Sequence, residues 1–390
     1  MDPLAQLPPA VFFVGQPPTP ITASDEQWRL PLPAGRADGS AAAVTVSYGE
    51  YFTAVGDYLA QEGAAVLTRV AQDVLGRGIA PAEVDGVQVH LVKHGALYHP
   101  ARVTLLAGPV CVPLVLNVAV SPAGRERLAA EVTHLKQLGA GFAEQFIPQV
   151  YGWGHGRIGG RAALPMFAAQ WLTGFHELHP TAGPGGRRPW SVWDPDEGPW
   201  QLSDRQVADF FRQAVFILTY YFDPHTLGAI LAWHHAAGDF VVRGCGEAVE
   251  VRLITVRRYE PLFQLEEGET LSLERLLEAL AVFFLRTSLW MRLDRMDGVG
   301  DLVWADEACL APMWAGFVQG LERMAQRNDF PAAFVPGVLR YFARHTPEDL
   351  VGLGETIIAR HPAGLPEVAL MRRHLLRHAA RLAEVVGAER

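Results

Sequence analysis

Apolar positions recur with the period of strands in the first part of the chain and with the period of helices in the second. Residues 87–120 hold three β-rich runs separated by KHGALYHP and AGP, which predicts an antiparallel meander. FIPQVYGWGHG and RAALPMFAAQWL predict two further strands. From about residue 270 to the end the spacing is helical. This order predicts an α+β fold in which an antiparallel sheet precedes a mainly helical lobe.

One helix is inserted among the predicted strands. Ser121 suits its N-cap, Pro122 suits its first turn, and Gly139 would end it. An apolar stripe gives this helix one buried face: Leu128, Val132, Leu135 and Leu138. A later helix is predicted after Ser203, and its apolar stripe is so wide that we expect it to be buried.

These elements divide the chain into four segments. We expect residues 1–85 to form a Pro- and Gly-rich arm, a strand and a helix that wrap the strand-rich lobe of residues 86–175. Residues 176–202 are interpreted as a linker, and residues 203–390 as a helical lobe with a two-strand insertion. We expect the tryptophans of the linker to pack on the helical lobe or to meet a partner: Trp190, Trp193 and Trp200.

Composition narrows the class of protein. The 390 residues are 49% hydrophobic and 19% charged, which favours a large folded core over disorder. The net charge of −9 argues against a nucleic-acid partner, because binding a polyanion requires clustered Lys and Arg. Cys111, Cys245 and Cys309 are too widely spaced to indicate a disulfide framework. With no signal-type start and no apolar run of roughly 18 residues, we expect a soluble, cytoplasmic protein without a membrane partner.

The stretch from Trp233 to Pro261 carries the candidate chemistry. Asp239 follows Gly238 in a predicted loop, where it is either a turn residue that caps backbone amides or a catalytic base. His234 and His235 precede it, but the side chains of adjacent histidines diverge, so we expect packing here and no metal site.

Element order and this loop together resemble the protein-kinase-like fold, in its aminoglycoside and choline phosphotransferase branch, over about residues 87–330. The run from His235 to Asp239 is similar to an expanded His-Gly-Asp catalytic loop. VRLITV resembles the strand that leads into a later metal-binding Asp, and LVLNVAV the strand that carries a phosphate-binding Lys. Glu131 stands where the helix Glu that pairs with that Lys would be. The resemblance implies a bilobal fold.

Three positions depart from the pattern that the resemblance implies. Asn117 stands in place of the Lys, Gly244 in place of an Asn five residues after Asp239, and Thr255 in place of the later Asp. Mg²⁺ takes hard oxygen ligands, and no Asp or Asn occurs between residues 240 and 258. We therefore expect loss of metal-dependent catalysis and no cofactor.

Basic residues near this loop are further candidates for a ligand site. Lys93 could reach a phosphate from the turn after the first strand of the meander, although a plain hairpin is the simpler interpretation. Arg257 and Arg258 either bind an anion or form ion pairs with Glu260, Glu266 or Glu267. The candidate ligand residues of the cleft are then Lys93, Asn117, Glu131, Thr255 and Arg257.

Three hypotheses about function follow. The first is a pseudoenzyme that acts as a binding or regulatory scaffold, with a protein partner and a small-molecule or nucleotide ligand between the lobes. The second is an active small-molecule phosphotransferase that uses ATP and Mg²⁺, with Asp239 as base and Lys93 or Arg257 on the phosphates. The third is an unrelated two-lobed binding protein, since fold analogy does not establish function. We favour the first.

Overall fold

The computed structural model describes residues 7–33, 46–159, 161–264, 271–327, 329–331 and 333–388. The chain forms two compact units, Met1–Thr173 and Gly174–Arg390, called here the first and the second unit. The strand expected just before Tyr48 falls largely outside the described residues, as do Glu266 and Glu267.

The first unit contains a seven-stranded sheet in the order β2-β1-β3-β4-β5-β7-β6. Its strands are β1 (Ala10–Val14), β2 (Thr19–Ile21), β3 (Gly86–Leu91), β4 (His99–Ala107), β5 (Val110–Val118), β6 (Val150–Ile158) and β7 (Arg161–Gln170). Neighbouring strands are antiparallel except β1 and β3, which are parallel. The five predicted strands β3–β7 are confirmed. The N-terminal arm contributes β1 and β2 to this sheet.

Two helices flank this sheet, α1 (Tyr48–Leu75) and α2 (Pro122–Gly141). The Ser121 hydroxyl caps α2 by accepting a hydrogen bond from Gly124 N at 3.0 Å, as predicted, and the helix runs two residues beyond Gly139. Helix α2 packs on β6 and β7.

Helix α1 covers one face of the sheet and forms the core of the first unit with it. Alternate residues of β5 are buried in that core: Val112, Leu114, Leu116 and Val118. Because side chains alternate along a strand, Asn117 lies on the opposite face.

The second unit holds the remaining elements. Its strands are β8 (His176–Pro180), β9 (Trp190–Val192), β10 (Trp200–Gln201), β11 (Gly228–Ile230), β12 (Phe240–Cys245), β13 (Ala248–Leu253), β14 (Tyr259–Pro261), β15 (Leu293–Arg295) and β16 (Leu302–Trp304). Its helices are α3 (Asp204–Tyr220), α4 (Leu273–Met291), α5 (Leu310–Gln326), α6 (Phe334–Phe342), α7 (Pro347–Ile358) and α8 (Pro366–Gly387). The α+β class, with an antiparallel sheet first and a mainly helical part second, is confirmed.

The segment interpreted as a linker is instead part of a sheet. Strands β8, β9 and β10 join β12 and β13 in the order β10-β9-β8-β12-β13. The expectation of an unstructured linker at residues 176–202 was therefore wrong, and so was that of an isolated two-strand insertion. Strands as short as β9 and β10 show no alternation, and β8 finds its partner β12 more than 50 residues later along the chain.

No helix in the described part of the chain has an apolar stretch long enough to cross a bilayer.

Candidate functional site

The turn before Asp239 favours glycine at residue 238. Residues His235–Ala237 form one 3-10 turn, and Gly238 ends it with a φ of 70°, in the left-handed region. A Cβ at Gly238 would also lie 2.6 Å from the carboxyl carbon of Glu177, so that side chain would have to move. The backbone geometry of the turn thus explains the glycine that the sequence places before Asp239.

Asp239 is buried and bound by groups of its own unit. Its side chain accepts two hydrogen bonds from the Arg257 guanidinium, at 2.8 Å from Nη1 to Oδ2 and 2.5 Å from Nη2 to Oδ1. Oδ2 also accepts the backbone N–H of His234 at 2.7 Å. Such a bidentate pair is among the stronger charge-assisted contacts in proteins. Both carboxylate oxygens of Asp239 are therefore engaged.

The two adjacent arginines, Arg257 and Arg258, bind different partners. Arg258 forms the predicted ion pair with Glu260, at 3.3 Å, whereas Arg257 turns to Asp239. Thr255 is 5% exposed and lies next to the Asp239 turn, because its neighbour Ile254 donates its N–H to the backbone oxygen of Asp239 at 2.9 Å. Asp239, Thr255 and Arg257 are therefore close together, as the candidate site requires.

Gly244 contributes no side chain to this group. It lies inside β12 opposite Val249, five residues beyond Asp239. Among the described residues, no group of three or more His, Cys, Asp and Glu side chains is arranged to hold a metal ion.

The other candidates lie in the first unit. Glu131 is buried in α2 and accepts a hydrogen bond from the Tyr98 hydroxyl at 2.7 Å. Asn117 pairs with Pro100 and Phe167 in the sheet. Lys93 follows β3, in a connection to β4 that makes the predicted antiparallel hairpin. The expected ligand between the lobes stays a prediction.

A pair of histidines closes this hairpin. The Nδ1 atoms of His94 and His99 lie 3.0 Å apart. Burial lowers the pKa of His99 to about 4, with a contribution from His94, and burial also lowers the pKa of His94. Both rings are therefore neutral near pH 7, so they add no positive charge that would attract an anion to this turn.

A buried cluster of charged residues in the second unit was missed by the sequence analysis. His179 Nδ1 donates to Asp294 Oδ1 at 2.8 Å, and His235 Nε2 lies 2.8 Å from Asp294 Oδ2, at an angle poor for a hydrogen bond. His179 Nε2 also lies 3.8 Å from Glu177. We call these four residues the His179 cluster. No local spacing links His179, His235 and Asp294, because His179 and Asp294 are 115 residues apart in sequence.

The electrostatics of the His179 cluster favour its charged form. Burial would lower the pKa of His179, but the hydrogen bond to Asp294 and the nearby carboxylate of Glu177 outweigh it and raise this pKa to about 9. Burial would raise the pKa of Asp294, but His235 and His179 hold it at about 2. His235 also stacks on Trp190, with ring centroids 5.3 Å apart, so this histidine packs as expected.

Two surface depressions lie away from Asp239. One of about 590 Å³ in the first unit is lined by Trp28, Glu50 and neighbours, and one of about 320 Å³ in the second by Arg205, Asp209 and neighbours. Neither has Asp239 among its lining residues.

Comparisons with known proteins place few limits on the chain. No protein-family model and no curated protein matches it. One solved structure that it resembles is described as "Putative fructosamine-3-kinase" from Haemophilus somnus 129PT, with 11% identity over 80% of this chain and 96% of the other. The TM-score is 0.25, which is too low for this likeness to support an argument about fold or function.

Proposed function

We propose that the protein is a catalytically degenerate, kinase-like protein that acts by binding a protein partner in a regulatory or scaffold role. The observation that carries this proposal is the bidentate pair between Asp239 and Arg257. A general base must reach the proton that it removes. Asp239 is only 2% exposed, and the guanidinium of Arg257 and the N–H of His234 already donate three hydrogen bonds to its carboxylate, which leaves a substrate hydroxyl little access to it.

The charge of Arg257 also bears on metal binding. A kinase-like site places acidic and amide side chains around Mg²⁺ and leaves the cation to neutralise phosphates. Here a fixed guanidinium lies beside the acid, with Thr255 nearby as a neutral hydroxyl. Since a second cation near Arg257 would be repelled, this arrangement favours a protein that has no Mg²⁺ at this position.

Nucleotide titration tests the proposal. A ligand that binds only the native state raises the melting temperature. Since we propose that no Mg²⁺ binds at this position, we expect the full chain to melt at the same temperature with ATP and Mg²⁺ as with ATP alone. Asp239→Asn should leave this result unchanged. A melting temperature that rises only with Mg²⁺ present, or phosphate transfer that Asp239→Asn abolishes, would instead establish a metal-dependent phosphotransferase.

A further inference from the structure

Two exposed apolar residues flank the His179 cluster. Trp193 is 44% exposed and Val299 is 60% exposed. The ring centroid of Trp193 lies 6.2 Å from that of His179, and a Cβ on Gly298 would lie 2.9 Å from the same ring. The residue after β9 and the turn between β15 and β16 thus both approach the His179 ring. An exposed indole is typical of an interaction surface, because it combines a large apolar ring with one N–H donor.

Exposed carboxylates stand close to these two residues in sequence. The exposed ones next to Trp193 and Val299 in sequence are Asp196, Glu197, Asp297 and Asp301. Neighbouring basic side chains already have partners: His176 lies 3.5 Å from Asp194, and Arg295 pairs with Glu367 at 3.5 Å. We call Trp193, Val299 and the four carboxylates the Trp193 surface. Its negative charge is not balanced by an ion pair among the described residues.

The backbone beneath the Trp193 surface is held in place. Trp193 N–H donates to Glu177 O at 2.9 Å, next to the pairing of Leu178 with Val192. The turn that carries Val299 is closed by Met296 N–H, which donates to Asp301 O at 3.0 Å. A surface formed before binding loses little conformational entropy when a partner arrives.

We propose that the Trp193 surface is the docking site for a cationic protein segment. Arg or Lys side chains of that segment pair with the carboxylates, and one cation packs over the indole of Trp193. This inference rests on the proposed function, because it names the class of partner that the scaffold binds. Charge decides between occupants, since an anionic membrane or a nucleic acid would be repelled by the same carboxylates.

The probe is a labelled Arg-Gly repeat peptide, with a Glu-Gly peptide as its counterpart, and binding to the full chain is followed by fluorescence anisotropy at low and high salt. We expect the Arg-Gly peptide alone to bind. Trp193→Ala should raise its Kd by about fivefold or more, as loss of a cation–π contact of about 1 kcal/mol implies. Asp297→Asn together with Asp301→Asn should raise the Kd and weaken its salt dependence.

Matched controls are Trp153→Ala and Glu126→Gln in the first unit, since Trp153 is 47% exposed and Glu126 is exposed. Neither should change the Kd. Absence of binding, equal binding of the Glu-Gly peptide, or equal effects of the control variants would overturn the docking site. A dimer in light scattering that Trp193→Ala dissociates would assign the surface to a second copy and also overturn it.

Failure of this inference differs from failure of the proposed function. If the peptide does not bind and Mg²⁺-ATP has no effect on the melting temperature, the docking site is wrong and the proposed function still holds. If Mg²⁺-ATP raises the melting temperature in wild type and in Trp193→Ala alike, the proposed function fails whatever the peptide does.

Discussion

The ion pair of Asp239 and Arg257 places opposite charges where only 3% and 22% of the two side chains are exposed. Burial removes hydration energy from both groups, and their mutual hydrogen bonds recover it. Loss of one partner therefore costs more than the pair itself contributes, because the remaining charge stays buried without a counter-ion.

Arg257→Met should destabilise the second unit by about 3 kcal/mol. The reason is that Asp239 keeps its buried carboxylate and loses the guanidinium. The double variant Asp239→Asn, Arg257→Met should recover part of the loss, since the uncompensated charge is gone. Calorimetric unfolding of the full chain measures the difference.

The adjacent Arg258 provides the control. Its side chain is 54% exposed and pairs with Glu260, which is 45% exposed, so Arg258→Met should change stability by less than about 1 kcal/mol. Equal losses of stability in Arg257→Met and Arg258→Met would show that the buried ion pair contributes no more than the exposed one.

At this scale the sequence led to Asp239 but not to its partner. The Gly-Asp pair and the turn around it are local, so their residue types indicate them. Arg257 was expected to bind an anion or a nearby Glu, because sequence does not tell which of two adjacent arginines faces Asp239. The folded chain brings the segment after β13 next to Asp239, where Ile254 N–H donates to the backbone oxygen of Asp239.

At the scale of elements, helices α3 and α5 approach each other closely through glycine. A Cβ on Gly316 would lie 2.0 Å from the backbone oxygen of Arg212, and one on Gly320 would lie 2.4 Å from Thr219. Backbone atoms cannot move aside as a flexible side chain can, so the spacing of the two helices depends on Gly316.

Gly316→Ala should therefore destabilise the protein by about 3 kcal/mol, because the helices must separate to admit a methyl group. Gly337→Ala in α6 is the matched control, as its Cβ would meet nothing within 4 Å. It should stabilise the protein by up to about 1 kcal/mol through helix propensity. Opposite shifts in melting temperature are expected, and a stabilising Gly316→Ala would contradict the close packing.

A buried network attaches α8 to α4. Arg292 Nη1 donates to His378 Nδ1 at 3.1 Å, so the other ring nitrogen, Nε2, donates to the Ser288 hydroxyl at 3.0 Å. Burial, and then the charge of Arg292, lower the pKa of His378 to about 3. The ring is thus neutral, and in this one tautomer it bonds to both Arg292 and Ser288, which connects α8 to α4.

Elements with a strong period were the ones that the sequence predicted. Strands β3–β7 and the caps at Ser121 and Ser203 depend on neighbours a few residues apart. Strands β8–β10 were missed because a Pro- and Gly-rich segment with strands of two to five residues offers no period to detect. They join a larger sheet only through β8, which pairs with β12, a strand that lies about 60 residues later in the sequence.

At the scale of the whole chain, the His179 cluster makes stability depend on pH. The pKa of His179 is about 9 in the folded protein, above the ordinary value of 6.5. The stabilisation from its charge is fully present below pH 6.5, where the unfolded chain is protonated as well. It is lost as pH rises through 9, where the folded protein releases the proton.

The stability advantage of wild type over His179→Gln should therefore be largest below pH 6.5 and should shrink by about 1.4 kcal/mol per pH unit toward pH 9. Asp294, with its pKa of about 2, is ionised throughout this window and continues to stabilise a positive charge on His179. Chemical denaturation at a series of pH values measures the difference. His225→Gln, at an exposed histidine outside the His179 cluster, is the control. A difference between wild type and His179→Gln that does not change with pH would contradict the raised pKa.

Local patterns were sufficient for the α+β class, the central antiparallel strands and the helix caps. All of these depend on residue types at neighbouring positions. The partner of Asp239, the membership of β8–β10 in a sheet and the His179 cluster were decided by the folded chain. His179 and Asp294 are 115 residues apart, and only burial in one core brings such groups together and makes their charges strong enough to matter.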